Sequence, residues 1–128
     1  MDIFQTTVTA VTLAVSVSEF IRRYRNAPED VRRTLASIEG DCRLLKLVDD
    51  TLREREALLI RQQGHSGNVV SEMDVLLKSC ANTLGSIKEL LTRAENIDRV
   101  SLDRAKLVLR SKDLLGMQTE LSIRVQSI

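Results

Sequence analysis

Few side chains in this sequence have the types and spacing that catalysis needs. His65 stands alone in a Gly-rich stretch, with no Cys or acid at ligand spacing, so it reads as a solvated loop residue. Cys42 and Cys80 each fall on a helical apolar rhythm, where a cysteine acts as a small buried residue. Two cysteines are too few for a disulfide scaffold, and whether one bridge joins them stays open. The acid pairs Asp49-Asp50 and Glu54-Glu56 lie among Arg53 and Arg55, the pattern of a solvated charged face. No phosphate-cradling glycine loop, nucleophile elbow or paired metal motif occurs. The chain reads as a non-enzyme that uses no metal and no cofactor.

The arginines carry a different chemistry. Arg22, Arg23 and Arg25 follow a stretch, Ile3 to Ser18, that holds no charged residue, and Arg32 and Arg33 come just past a turn. Basic side chains at the end of an apolar helix attract anionic lipid headgroups, each contributing about 1 kcal/mol near an acidic leaflet. Within the leader, Ala10, Leu13, Val17, Phe20, Ile21 and Tyr24 recur on one helical face. Phe4, Val8, Val11 and Val15 cover much of the other. A helix apolar nearly all round is either enclosed by other helices or meant for lipid. The residues expected to enter lipid are Ile3, Phe4, Val8, Val11, Leu13, Val15, Val17, Phe20 and Ile21. The uncharged run rises roughly 24 Å along a helix axis, short of a ~30 Å hydrocarbon core, so a lone transmembrane anchor fits poorly. A segment held in a soluble bundle and released into membrane on oligomerisation fits better. A plain central core helix is the alternative.

These groups must be positioned by helices. At 128 residues the chain suits one domain, 1–128, large enough to bury a core. Charged residues make up 29%, and 19 Lys and Arg against 18 Asp and Glu nearly cancel, which argues against a nucleic-acid binder. Asp2 stands where a secretory signal would carry Lys or Arg, which speaks against export, and the charged, Leu-rich composition with only two cysteines suits a reducing cytosol. Pro28 is the only proline, so few breakers interrupt the periodicity.

Four helices are expected. The first spans about 2–25, against the β preference of its Val and Thr run. The second, about 28–62, starts at Pro28-Glu29-Asp30 and buries Val31, Leu35, Ile38, Cys42, Leu45, Leu52 and Leu59. Its opposite face pairs Glu29 with Arg33, Glu39 with Arg43 and Asp49 with Arg53. After a polar loop, 62–68, Ser71 and Asp74 resemble a capping box for a third helix over about 71–96. The stripe Met73, Leu76, Cys80, Leu84, Ile87, Leu91 and Ala94 on it would suit a partner helix. The fourth spans about 101–128 with a break near 111–113, and Leu114, Met117, Leu121, Val125 and Ile128 line it. Such stripes can be buried together as an all-α, up-and-down four-helix bundle. The absence of a C-cap signal at Ile128 suggests a longer natural protein.

The opening Met1-Asp2-Ile3-Phe4 to Tyr24, the turn Arg25-Asn26-Ala27-Pro28-Glu29-Asp30-Val31, and Leu76, Lys78, Ser79, Cys80, Leu84, Ile87, Leu90 and Leu91 carry a resemblance. Together they resemble the N-terminal HeLo-like domains of fungal STAND receptors, over nearly the whole chain. Members often carry a Trp near the start of the last helices, where this chain has Leu107 and Val108. The resemblance implies a helical-bundle effector of programmed cell death or heterokaryon incompatibility. It would rest in the cytoplasm and act at the plasma membrane as a pore-former on oligomerisation. The implied partners are anionic lipids, further copies of the chain, and a nucleotide-binding receptor or amyloid-forming protein, with no nucleic acid. The segment implied to insert is Met1 to about Tyr24. A helical adaptor without membrane activity is the rival expectation.

Overall fold

A computed structural model of the chain describes residues 3–23, 29–54, 67–98, 109 and 112–128. The described residues hold no strand, and four helices account for nearly all of them: α1 (Ile3–Arg23), α2 (Glu29–Glu54), α3 (Gly67–Asp98) and α4 (Lys112–Gln126). The protein is an all-α four-helix bundle in which α1 packs on α2 and α3, and α4 packs on the same two helices. Each helix therefore has two principal neighbours.

The β-branched leader is helical despite its local preference. Thr9 and Thr12 return their hydroxyls to the carbonyls of Gln5 (3.0 Å) and Val8 (2.7 Å), which satisfies those donors within the helix. Packing does the rest: Ala10, Ala14 and Val17 are buried, with Thr6 and Thr7 beside them. Glu29 and Asp30 stand in the first turn of α2, where the helix dipole favours acids. The ion pairs expected from spacing form at Glu39–Arg43 and Asp49–Arg53, both 3.1 Å.

The core is built largely from the expected stripes, with the correction that α3 buries Leu77 and leaves Leu76 outside the core. Val31, Leu35, Ile38, Cys42, Leu45 and Leu52 of α2 meet Leu77, Cys80, Leu84, Ile87, Leu91 and Ala94 of α3 and Leu114, Leu121 and Val125 of α4. Leu109, also helical, is buried in the same cluster.

Several expectations need correcting. The third helix begins at Gly67, so Ser71 and Asp74 lie inside it and form no N-cap. Val69 and Val70 continue the spacing of Met73 backwards, and a glycine at the first position of a helix escapes the cost it carries in a helix interior. Asp74 instead pairs with Lys78 at 2.7 Å and accepts from the Thr6 hydroxyl of α1. Burial pushes its carboxyl up, but those partners outweigh it and hold it below the ordinary range. Asp49 is no solvated acid: only 8% of it is exposed, and Arg53 compensates it. The third helix runs two residues past 96, to Asp98. The second helix beyond Glu54, His65, Pro28, Arg25 and the segment around residue 111 lie outside the described residues.

Candidate functional site

The leader holds a corner of the bundle and not its centre. Its buried side is built of small and hydroxyl-bearing residues, while its larger valines divide: Val17 is buried, Val11 is half-buried, and Val8 and Val15 are each 44% exposed. Val8 and Val15 are two turns apart, so they stand on one outer stripe with Val11 between them. Exposed Thr9 and Thr12 flank the stripe with their hydroxyl donors already satisfied. Of the remaining residues expected to enter lipid, Leu13, Phe20 and Ile21 are half-buried against the core. The side chains of Ile3 and Phe4 lie outside the described set.

The arginines gather where α1 ends and α2 begins. Arg22 and Arg23 occupy the last turn of α1, Arg32 and Arg33 the first turns of α2, and all four are exposed. Residues 24–28 join the two helices, a link of at most ~22 Å from Arg23 to Glu29 even if fully extended. Arg23 lies over the Phe20 ring at 4.8 Å from its centroid, a cation–π contact that anchors it to the apolar side. Arg22 binds Glu39 at 3.4 Å, and Arg43 binds the same carboxylate oxygen at 3.1 Å. Arg32 has an interaction of its own. One carboxylate shared by two guanidiniums leaves positive charge over.

Between α1 and α2 runs a groove of about 350 Å³, with Val11, Val15 and Ser18 on one wall and Cys42, Arg43 and Lys46 on the other. Apolar side chains on the α1 lip and cations on the α2 lip make it amphipathic. Glu19 and Arg22 close one end. Cys42 is buried and free, and so is Cys80. Burial pushes the Cys42 thiol up to about 11, only partly offset by the Ser18 hydroxyl. Burial likewise pushes Cys80 up to about 11, against the lowering effect of Arg124. Neither is a thiolate nucleophile at neutral pH. Among the described residues no group of His, Cys, Asp and Glu could hold a metal ion. No described helix is long and apolar enough to cross a membrane.

One polar cluster was not legible beforehand. Asp41 of α2 is buried and accepts from Ser122 of α4 at 2.7 Å. Gln118 donates to Ser37 at 2.8 Å and to Ser122 at 3.2 Å. The signal lay in spacing: Asp41 is three residues past Ile38 and four before Leu45, on the buried stripe itself.

The stripe on α3 that would have suited a partner helix is taken up by the core, since Cys80, Leu84, Ile87, Leu91 and Ala94 are all buried. Protein-family models, curated proteins and solved structures offer no match to the chain.

Proposed function

We propose that this chain is a membrane-targeting, membrane-permeabilising signalling domain, activated by oligomerisation, of the cell-death class that its sequence resemblance implies. The observation that carries this reading is the outer stripe of α1, where Val8 and Val15 face solvent beside a concentration of exposed arginines. A helix with an apolar face and a basic end lies in the plane of an anionic bilayer, its apolar side sunk about 5–10 Å below the headgroups. The outer stripe needs no unfolding to make that contact. Deeper burial of Leu13, Val17, Phe20 and Ile21 in lipid requires α1 to leave α2 and α3, so it belongs to the clustered state. Arg22, Arg23, Arg32 and Arg33 supply headgroup contacts, and Arg25 extends the same run in sequence. Copies that cluster on the surface disturb the bilayer together where one helix cannot span it.

The same reading includes an up-and-down chain path and a last helix broken near 111–113. Pairing of Ser18 with Cys42 and of Arg22, further along α1, with Glu39, earlier in α2, supports opposite directions for those two helices. Contacts from Ser37 to Gln118 and from Asp41 to Ser122 support a common direction for α2 and α4.

Dye release from anionic liposomes tests the function. Clustered wild-type protein is expected to release dye, and clustered Val8→Glu/Val15→Glu protein, checked for helicity by circular dichroism, is expected to release little. No leakage from clustered wild-type protein counts against membrane activity and favours a helical adaptor, and equal leakage from both folded proteins counts against the outer stripe of α1.

A further inference from the structure

Leu44 and Leu47 are exposed on α2, Leu47 at 59%, on the side away from the α1 groove. With Val48, Leu52, Met73 and Ile128 they line an open apolar groove of about 470 Å³. Asp50 and Glu54, exposed on the same turns of α2, would repel an anionic bilayer there. A second copy of the chain meets a complementary pattern instead. We infer that the outer face of α2 joins two copies of this chain as an antiparallel pair about a two-fold axis through Leu47, with Arg43 of each copy, at the border of the α1 groove and sharing Glu39 with Arg22 in its own chain, turned against Asp50 of the other.

The spacing carries the argument. Arg43 comes four residues before Leu47 and Asp50 three after, roughly 6 Å and 4.5 Å along the axis. In an antiparallel pair centred on Leu47, Arg43 of one copy thus comes level with Asp50 of the other to within about 1.5 Å. Arg43 and Asp50, two turns apart, share one flank of Leu47, while Leu44 and Thr51 share the other. A two-fold axis keeps like flanks together, so both charge pairs form at once and each Leu44 lies beside Thr51 of the other copy. Gly40 comes level with Glu54, and a Cβ placed at Gly40 would meet nothing within 4 Å, which leaves the glutamate room.

This surface supplies the clustering step of the function proposed above and rests on that reading for its purpose, while the dimer itself is measured without membrane. Sedimentation of the full chain over a concentration series is expected to show a monomer–dimer equilibrium. Leu47→Glu, Arg43→Glu and Asp50→Lys are each expected to weaken it about tenfold or more. An equal mixture of the Arg43→Glu and Asp50→Lys proteins is expected to recover dimer, because each substituted charge then faces an opposite one. Val15→Glu should leave the equilibrium unchanged. A wild-type chain that stays monomeric up to about 1 mM overturns the inference. So does a dimer indifferent to Leu47→Glu, or a mixture no better than its components. Loss of vesicle binding by Leu47→Glu with its dimer intact would assign the face to lipid and overturn it too. Failure of the membrane reading shows separately, as dimeric, folded wild-type protein that releases no dye from anionic vesicles.

Discussion

The Ser122 hydroxyl of α4 donates a 2.7 Å hydrogen bond to the carboxylate of Asp41 on α2, a residue only 7% exposed. A buried carboxylate without donors is strongly unfavourable, so this bond ties the position of α4 to that of α2. Gln118, bonded to both Ser37 and Ser122, extends the tie along one turn. Sliding α4 by one residue would separate every partner in the seam.

Ser122→Ala is therefore expected to lower the unfolding free energy by about 1–3 kcal/mol, because it strips a donor from a buried acceptor. Thr119→Ala on the same helix removes only an exposed hydroxyl bonded back to Leu115. Its effect should stay within about 0.5 kcal/mol. Urea titration of both proteins checks the contrast, and equal effects would mean that the seam is not a tie.

Two valines two residues apart should respond in opposite ways. Val17 is fully buried, so Val17→Glu places a charge in the core and should destabilise by about 4 kcal/mol or more. Val15→Glu adds a charge to an exposed site and should keep its helical circular dichroism and its melting transition. Vesicle binding, by contrast, should be lost from the Val15→Glu protein.

Alkaline pH should reveal the thiols. Burial raises both Cys42 and Cys80 from an ordinary 9.0 to about 11, so the folded state prefers the protonated form. Their contribution to stability is complete below pH 9 and is lost as pH rises through about 11. The native protein should alkylate slowly at pH 8 and quickly once unfolded in guanidinium. Replacing both residues with alanine should remove the alkaline decline that they cause, at a general loss of stability from the smaller core side chains.

Gly40 and Gly85 lie inside helices, without positive φ, and a Cβ at either position would meet nothing within 4 Å. Gly40→Ala and Gly85→Ala should each raise stability by about 0.5–1 kcal/mol through reduced freedom of the unfolded chain. Thermal melts provide the check, and a loss at either site would point to a packing role for that glycine.

The helices of this bundle were legible because apolar residues recur at helical spacing, and the stripe from Val31 to Leu52 lies buried as its period requires. Leu90 was missed because it adjoins Leu91 and the buried face takes both, whereas at the other end of the helix Leu77 is buried in place of the expected Leu76. Thr6, Thr7 and Asp49 were missed for another reason: a polar residue on a buried edge looks the same in sequence as a solvated one. Asp41 stands on the buried stripe itself, but its partner Ser122, far off in the chain, shows only in three dimensions. The α1 leader shows the limit most plainly. Its two apolar stripes predicted burial or lipid contact all round, yet nothing in their spacing said which would face α2 and α3. The bundle takes the small residues inward and leaves Val8 and Val15 outside.

Contact between that outer stripe and lipid is open to direct measurement. An environment-sensitive dye attached to Val15→Cys protein should brighten and shift to the blue on vesicles rich in anionic lipid, and not on neutral ones. The same dye on Leu115→Cys protein, at an exposed site on α4, should stay unchanged in both. A silent probe at residue 15, or equal responses at both sites, would contradict docking through α1.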